Sequence, residues 1–303
     1  MYAITIPFMN LSQIYKSGQV FTWQKVTDDK YIIVDGSNVV KVEQRRENFL
    51  FSCSEEDFYN IWWKYFDLST DYMNLNYVYR GLGSYFKICC VRTSGLRVLQ
   101  QNLWQIIVCS VLETATSIER VRQMIEGICE KCGRKHKSSM REVGNVLWYE
   151  FPSPQQILKN IHKLTTKDIG YKIDILTELC ENVIDGWLDL DLLSNMSHDD
   201  AVEYLMEFKG IGNKVAESIC LFGLHYMDSF PLDTHMNQLL KREFNVSYEE
   251  WLEWYLCGEV QYIENMGYLR EVLFYNELFP VNENNYDFSE VKTKKKGKRR
   301  KYG

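Results

Sequence analysis

The feature that most constrains the fold is a pair of glycines, Gly210 and Gly212, which flank one apolar residue between two helical patterns. Glycine adopts positive φ at little cost, so this spacing predicts a tight hairpin with Ile211 anchored in a core. The amides of the hairpin and of the next helix then point outward, where they can bind a phosphate without reading a base. Taken alone, the pattern fits an ordinary helix–helix turn equally well.

Lys214 lies two residues after the second glycine, in the first turn of the following helix. A lysine is unfavourable there because the helix dipole places positive charge at that end. The positive field and partial burial favour a neutral amine at pH 7, which could attack the anomeric carbon of a deoxynucleotide and form a Schiff base. The alternative is that Lys214 only contacts a phosphate.

Asp233 lies in the segment SFPLDTH, at a position typical of a helix N-cap. In isolation a capping role would be sufficient. However, one helix and a short loop separate it from Lys214, so the chain can return to the same cleft. A carboxylate there could steer the amine, exchange its proton and stabilise positive charge on the sugar.

Residues 204–237 resemble the helix-hairpin-helix signature of the DNA glycosylase superfamily, and in particular the 8-oxoguanine DNA glycosylases that are also AP lyases. The resemblance implies that Lys214 is the nucleophile and Asp233 its catalytic partner. It also implies DNA contacts at Gly210, Gly212 and His235.

The resemblance extends over most of residues 10–280 and implies a base pocket. Gly18, in SGQVFTW, matches a glycine whose carbonyl accepts the N7 hydrogen that only the oxidised base carries. Phe274 matches an aromatic residue that stacks on the flipped base. From the residues alone, a turn glycine and a core phenylalanine would explain both. Tyr171 and Lys172 match residues that occupy the DNA near the emptied stack.

Three positions depart from the family pattern. Arg120 aligns with a family arginine, but the asparagines of that segment are missing from residues 113–120, which leaves the opposite-base preference open. Arg270 replaces a glutamine and can only donate hydrogen bonds, so either the damaged base differs or Arg270 reads a carbonyl. Ser218 replaces a small residue, often cysteine, and could bond to the base or simply pack.

Short runs rich in β-branched and aromatic residues fill residues 19–53, and helical periodicity dominates from about Arg97 onward. Ser197, with Asp200 three residues later, predicts a helix N-cap. We therefore expect the α+β class. An N-terminal domain with a twisted antiparallel sheet is followed by two mostly α-helical subdomains that carry the helix-hairpin-helix. The expected boundaries are 1–96 for the N-terminal α+β domain, 97–285 for the helical glycosylase region with the hairpin at about 204–225, and 286–303 for a disordered basic tail.

Net charge and cysteine content limit the possible binding partners and the cellular compartment. The net charge of −6 alone would argue against a nucleic-acid binder, but residues 292–301 are strongly basic and the local motifs outweigh the sum. Nine scattered cysteines, with no signal peptide or transmembrane run, predict reduced thiols. We expect a cytoplasmic protein at a bacterial nucleoid, or a nuclear one in a eukaryote.

The expected partner is double-stranded DNA that contains a damaged purine, bound by a monomer without a membrane, a cofactor or a metal. Cys129-x-x-Cys132 with His136 would suggest zinc, but the sequence offers no fourth ligand nearby. Two rival functions stay open: a monofunctional alkylpurine glycosylase that uses water, and a non-catalytic DNA-binding module. The first uses the aspartate but does not need Lys214, and the second leaves the pairing of Lys214 with Asp233 without a purpose.

Overall fold

The computed structural model describes residues 1–140, 144–251, 253 and 264–280; the basic tail and the expected end of the helical region lie outside these residues. A five-stranded antiparallel sheet of order β1-β5-β4-β3-β2 forms the N-terminal part. Its strands are β1 (Tyr2–Thr5), β2 (Gln24–Lys25), β3 (Lys30–Asp35), β4 (Asn38–Arg45) and β5 (Asn48–Phe51).

The predicted sheet is confirmed, with two differences in its strands. The turn expected after β3 is present, because Asp35 pairs with Asn38 across a two-residue connection in which Gly36 has φ +58°. The prediction missed β1, which lies before residue 19 and pairs with β5. The run QVFTWQKV contributes only the two residues of β2.

Short helices surround the sheet and lead into the helical region. They are α1 (Leu11–Lys16), α2 (Glu55–Asp57), α3 (Trp63–Tyr65), α4 (Tyr72–Arg80) and α5 (Ser84–Arg92). A π-helical turn, Phe58–Trp62, joins α2 to α3, so the amphipathic helix predicted after Glu55 is present as one continuous helical segment.

The central helix α6 (Leu103–Glu113) is buried along almost its whole length. The prediction extended helical structure back to about Arg97, but α6 begins after its N-cap Asn102. The preceding segment has no regular secondary structure and is held by Gln19, whose Oε1 accepts from the Leu99 amide at 2.9 Å and whose carbonyl accepts from Gln101 Nε2 at 2.9 Å.

A two-stranded hairpin, β6 (Lys135–Met140) and β7 (Gly144–Tyr149), interrupts the region predicted to be helical. Trp148 packs against Ile32 and Val34 on the N-terminal sheet, which links the hairpin to that domain. His136, considered above as a metal ligand, stacks on Trp148 at 4.1 Å and contacts Glu150 Oε1 at 2.8 Å. These contacts give the histidine a structural role.

Helices form the remainder of the described chain. They are α7 (Ile118–Cys132), α8 (Pro154–Asn160), α9 (Thr166–Ile169), α10 (Ile173–Ile184), α11 (Leu190–Leu193), α12 (His198–Met206), α13 (Asn213–Ile219), α14 (Thr234–Leu239), α15 (Tyr248–Trp251) and α16 (Met266–Leu278). Ser197 caps α12, as predicted, by accepting from the Asp200 amide. One continuous apolar core joins the sheet to these helices. Among the described residues, no helix has the length and apolar character needed to cross a membrane.

Candidate active site

The Gly-Ile-Gly hairpin joins α12 to α13. Gly210 has φ +87°, and a Cβ there would lie 2.7 Å from Ile175 Cγ2 on α10, so both the backbone conformation and the space require glycine. Ile211 is buried, as expected for its anchoring role. Gly212 is the N-cap of α13 and carries no side chain over the first turn. The first amides of a helix have no intrahelical acceptor, so they can bind an anion here.

Lys214 lies in the first turn of α13 and forms an ion pair that the sequence did not reveal. Its Nζ is 2.6 Å from Glu113 Oε2 at the last residue of α6, and both side chains are mostly buried. The expectation of a neutral amine considered the helix dipole and burial but not this carboxylate. One turn later, Ser218 donates to the Lys214 carbonyl at 2.9 Å and so stabilises the helix that carries the lysine.

Asp233 is the N-cap of α14, as predicted: its Oδ1 accepts from the Met236 amide at 2.8 Å. Its second oxygen accepts from Arg270 Nη2 at 3.2 Å. The cap therefore fixes one side of the carboxylate and leaves the other turned toward α16. His235, two residues later, is exposed on α14.

Arg270 links several groups at the start of α16. Its Nη1 donates to Glu271 Oε1 at 2.6 Å, and its guanidinium lies 4.2 Å from the centroid of the Phe274 ring. Glu271 is buried, and burial raises the pKa of its carboxyl, although the Arg270 guanidinium opposes that shift. Within the described chain, Glu271 Oε2 has no hydrogen-bond partner.

Arg270 and Phe274 line one small cavity together with Gly18 and Ser218, and Glu113 lies on its wall. Its volume is about 10 Å³, room for about one water molecule. Gly18 has φ +93°, and a Cβ there would lie 2.9 Å from Ile118 Cδ1 and 3.2 Å from Phe274 Cε1. Of the six pocket and catalytic candidates, Gly18, Ser218, Arg270 and Phe274 line this cavity, whereas Lys214 and Asp233 contact its lining residues Glu113 and Arg270. The Arg270 guanidinium lies over one face of the Phe274 ring.

Tyr171 and Lys172, paired in the sequence analysis, have opposite environments. The Tyr171 side chain is 74% exposed, whereas Lys172 is only 4% exposed. Lys172 Nζ donates to the carbonyls of Leu112 and Thr114 at 2.6 and 2.7 Å, at the end of α6. A cation is favourable at a helix C-terminus, so its charge is used inside the protein. This placement corrects the expectation that Lys172 contacts DNA directly.

Arg120, in the first turn of α7, donates to the carbonyls of Lys167 and Asp168 at 2.5 and 3.0 Å. It therefore holds the segment at the start of α9, close in sequence to Tyr171. Glu113 and Glu271 are the site residues that sequence reasoning missed. Each is an acidic residue beside apolar helical residues, Glu113 at the end of α6 and Glu271 directly after Arg270 on α16, and that pattern was a signal that could have identified both.

Comparison with known proteins finds similarity to DNA glycosylases. Residues 2–107 match the family model of the 8-oxoguanine DNA glycosylase N-terminal domain. The N-glycosylase/DNA lyase of Saccharomyces cerevisiae is 22% identical over 165 residues, which are 50% of this chain and 43% of the yeast protein. The chain spans about half the length of the first curated relatives it matches.

Two solved structures resemble nearly the whole chain. The structure of MBOgg1 with a low-affinity DNA ligand has a TM-score of 0.81 at 23% identity and covers 91% of this chain and 94% of that one. The Clostridium acetobutylicum 8-oxoguanine glycosylase/lyase, bound to duplex DNA with cytosine opposite 8-oxoG, has a TM-score of 0.76 at 25% identity, with 92% and 94% covered. The fold is therefore that of the helix-hairpin-helix DNA glycosylases. Within that class, residues 2–107 are similar to the N-terminal domain of the 8-oxoguanine DNA glycosylases.

Proposed function

We propose that this protein is a bifunctional DNA glycosylase and AP lyase that removes an oxidised purine, 8-oxoguanine, from double-stranded DNA. One observation carries the proposal: Lys214, through Glu113, and Asp233, through Arg270, reach the same cavity wall beside Gly18 and Phe274. The similarity to an N-glycosylase/DNA lyase and to an 8-oxoguanine glycosylase/lyase supports the same chemistry.

The proposed reaction begins when the hairpin amides at Gly210 and Gly212 hold a phosphate. The damaged purine then leaves the stack, at a cost of a few kcal/mol that is smallest for weakened pairs. Exposed Tyr171 occupies the vacated space, and Arg120 and His235 support the DNA backbone. To enter the pocket, the base must displace the Arg270 guanidinium from the Phe274 ring, because the cavity is far smaller than a purine.

Lys214 displaces the base at C1′, and Asp233 stabilises the positive charge that develops on the sugar. The resulting Schiff base allows elimination of the 3′ phosphate, which is the lyase step. We propose that the enzyme acts as a monomer where the genome lies, at a bacterial nucleoid or in a eukaryotic nucleus. A monofunctional glycosylase would use water and would need no lysine at position 214.

Borohydride trapping tests this proposal, because borohydride reduces a lysine–DNA Schiff base to a stable covalent link. Duplexes with 8-oxoguanine opposite each of the four bases, and one with an abasic site, are incubated with wild type and with Lys214→Gln. We expect an adduct with wild type alone. Its yield across the four opposite bases measures the selectivity that the segment 113–120 confers. If wild type traps no duplex, the lyase assignment is wrong.

A further inference from the structure

The strongest unexplained contact in the site is the one between Glu113 and Lys214. An amine can attack carbon only after its ammonium form has lost a proton, so a nucleophilic lysine needs a proton acceptor. The acceptor in contact with Nζ is Glu113 Oε2, at 2.6 Å. Asp233 instead uses one oxygen to cap α14 and the other to contact Arg270.

We propose that Glu113 is a second catalytic carboxylate, which takes the proton from Lys214 and returns it to the departing base. This proposal rests on the proposed function. It divides the chemistry between two carboxylates: Glu113 manages the proton of the nucleophile, and Asp233 stabilises charge on the sugar. A carboxylate in hydrogen-bond contact with the group that it deprotonates has the geometry that general-base catalysis requires.

Protons and charges balance from the free enzyme to the covalent intermediate. The Lys214 ammonium gives one proton to Glu113 Oε2, which leaves a neutral amine beside a carboxylic acid. The amine lone pair forms the bond to C1′ while the bond from C1′ to the base nitrogen breaks, and its electron pair leaves with the base. Glu113 lies on the pocket wall, so its proton can pass to the base anion. A secondary ammonium and the Glu113 carboxylate remain.

The surroundings of Glu113 contain groups that could modulate this exchange. Lys214 on α13 contacts it directly. The other charged or titratable groups that act on the same region are Cys109 on α6, Lys172 before α10, Asp233 at the start of α14, and Arg270 with Glu271 on α16. Lys172 lies within hydrogen-bond distance of the last α6 carbonyls and holds the end of the helix that bears Glu113.

The experiment compares wild type, Glu113→Gln and the control Glu126→Gln, whose side chain is exposed on α7. Excision of 8-oxoguanine under single-turnover conditions is measured from pH 6 to pH 9.5, and borohydride trapping is followed in parallel. Glutamine preserves the size of the side chain but cannot accept the proton. We expect Glu113→Gln to lose about 100-fold in excision rate at pH 7, within the usual range for general-base catalysis.

The pH profile separates proton transfer from simple positioning. Hydroxide and buffer can take the proton at high pH, so the deficit of Glu113→Gln should shrink toward pH 9.5, while Glu126→Gln follows wild type. A deficit that is equal at every pH would overturn the proposal, as would a wild-type rate. In either case trapping by wild type would still support the proposed function. Absence of trapping by wild type would reject both.

Discussion

Two clusters of charged residues, one joined to α13 through Glu217 and one at the start of α16, differ in how completely their polar atoms form hydrogen bonds. We call the first the outer group: His198, Glu217, Asp228 and Ser229. The His198 ring nitrogens lie 3.1 Å from Asp228 Oδ2, 3.2 Å from Glu217 Oε2 and 2.9 Å from Ser229 Oγ. The hydrogen bond that His198 donates to the Glu217 carboxylate raises the pKa of His198 to about 9, so the imidazole is charged at neutral pH.

The pocket group consists of Asp233, Arg270 and Glu271. It has the same kind of ion pairs, but Glu271 Oε2 is buried without a partner among the described residues. An unsatisfied buried acceptor costs about 1–3 kcal/mol. The outer group ties the start of α12 to α13 and to the segment before Asp233, and it uses both histidine nitrogens in doing so. The comparison indicates that the outer group serves stability, whereas the pocket group keeps an unsatisfied acceptor next to Arg270, which lines the cavity.

Substitution of Asp233 by Asn should have the largest effect on activity and little effect on folding. Asparagine caps a helix as well as aspartate does, so α14 keeps its N-terminal hydrogen bond. The negative charge on the pocket side is lost, and we expect single-turnover excision to fall by about 100-fold or more. An excision rate within threefold of the wild-type rate would show that the charge of Asp233 takes no part in excision. Thermal melting provides the control for folding.

Substitution of Arg270 by Gln should lower the free energy of unfolding, because it breaks a buried ion pair of the pocket group. It leaves Glu271 buried without its ion-pair partner, and breaking a buried pair in this way costs about 3 kcal/mol or more. Urea unfolding at pH 7.5 measures the loss. The double variant Arg270→Gln with Glu271→Gln removes both charges, so it should recover most of the lost stability. If the single variant is as stable as wild type, Glu271 is already protonated in wild type. The pocket group then contains no Arg270–Glu271 ion pair to compare with those of the outer group.

Most of the architecture could be predicted, because periodicity and capping are local properties of the sequence. The hairpin glycines, the Asp233 cap and the sheet of strands after residue 19 all follow from short-range rules. The errors arose where distant residues decide. The irregular segment before α6 depends on Gln19, which lies about 80 residues earlier, and β1 depends on pairing with β5.

The site shows the same division between local and distant information. Lys214 and the capping Asp233 lie on one motif, so their spacing predicted a shared site; in the structure each contacts a residue that lines the cavity. Glu113 is 101 residues from Lys214, and no local pattern connects them. Lys172 was assigned to DNA by its position in the resemblance, but burial against the end of α6 gives it another role. Ion pairs between elements are the part that sequence patterns could not provide.

Substitution of His198 by Gln should have the smallest effect, and that effect should depend on pH. The folded-state pKa of about 9 lies above the unfolded value of about 6.5, so charged His198 stabilises the fold fully below pH 6.5. That contribution declines as pH rises and is lost above pH 9. We expect the free energy of unfolding of wild type to exceed that of His198→Gln by about 2 kcal/mol at pH 6 and by much less at pH 9.5.

Urea unfolding of wild type, His198→Gln and the control His162→Gln, whose side chain is exposed, measures these differences at pH 6, 7.5 and 9.5. Subtraction at each pH cancels the titration of groups that the proteins share. A difference that does not vary with pH would mean that His198 packs but does not act through its charge. Excision by folded His198→Gln should match wild type, because the outer group does not line the pocket. A folded but inactive variant would show that the outer group positions Asp233. The assignment of the outer group to stability alone would then be wrong.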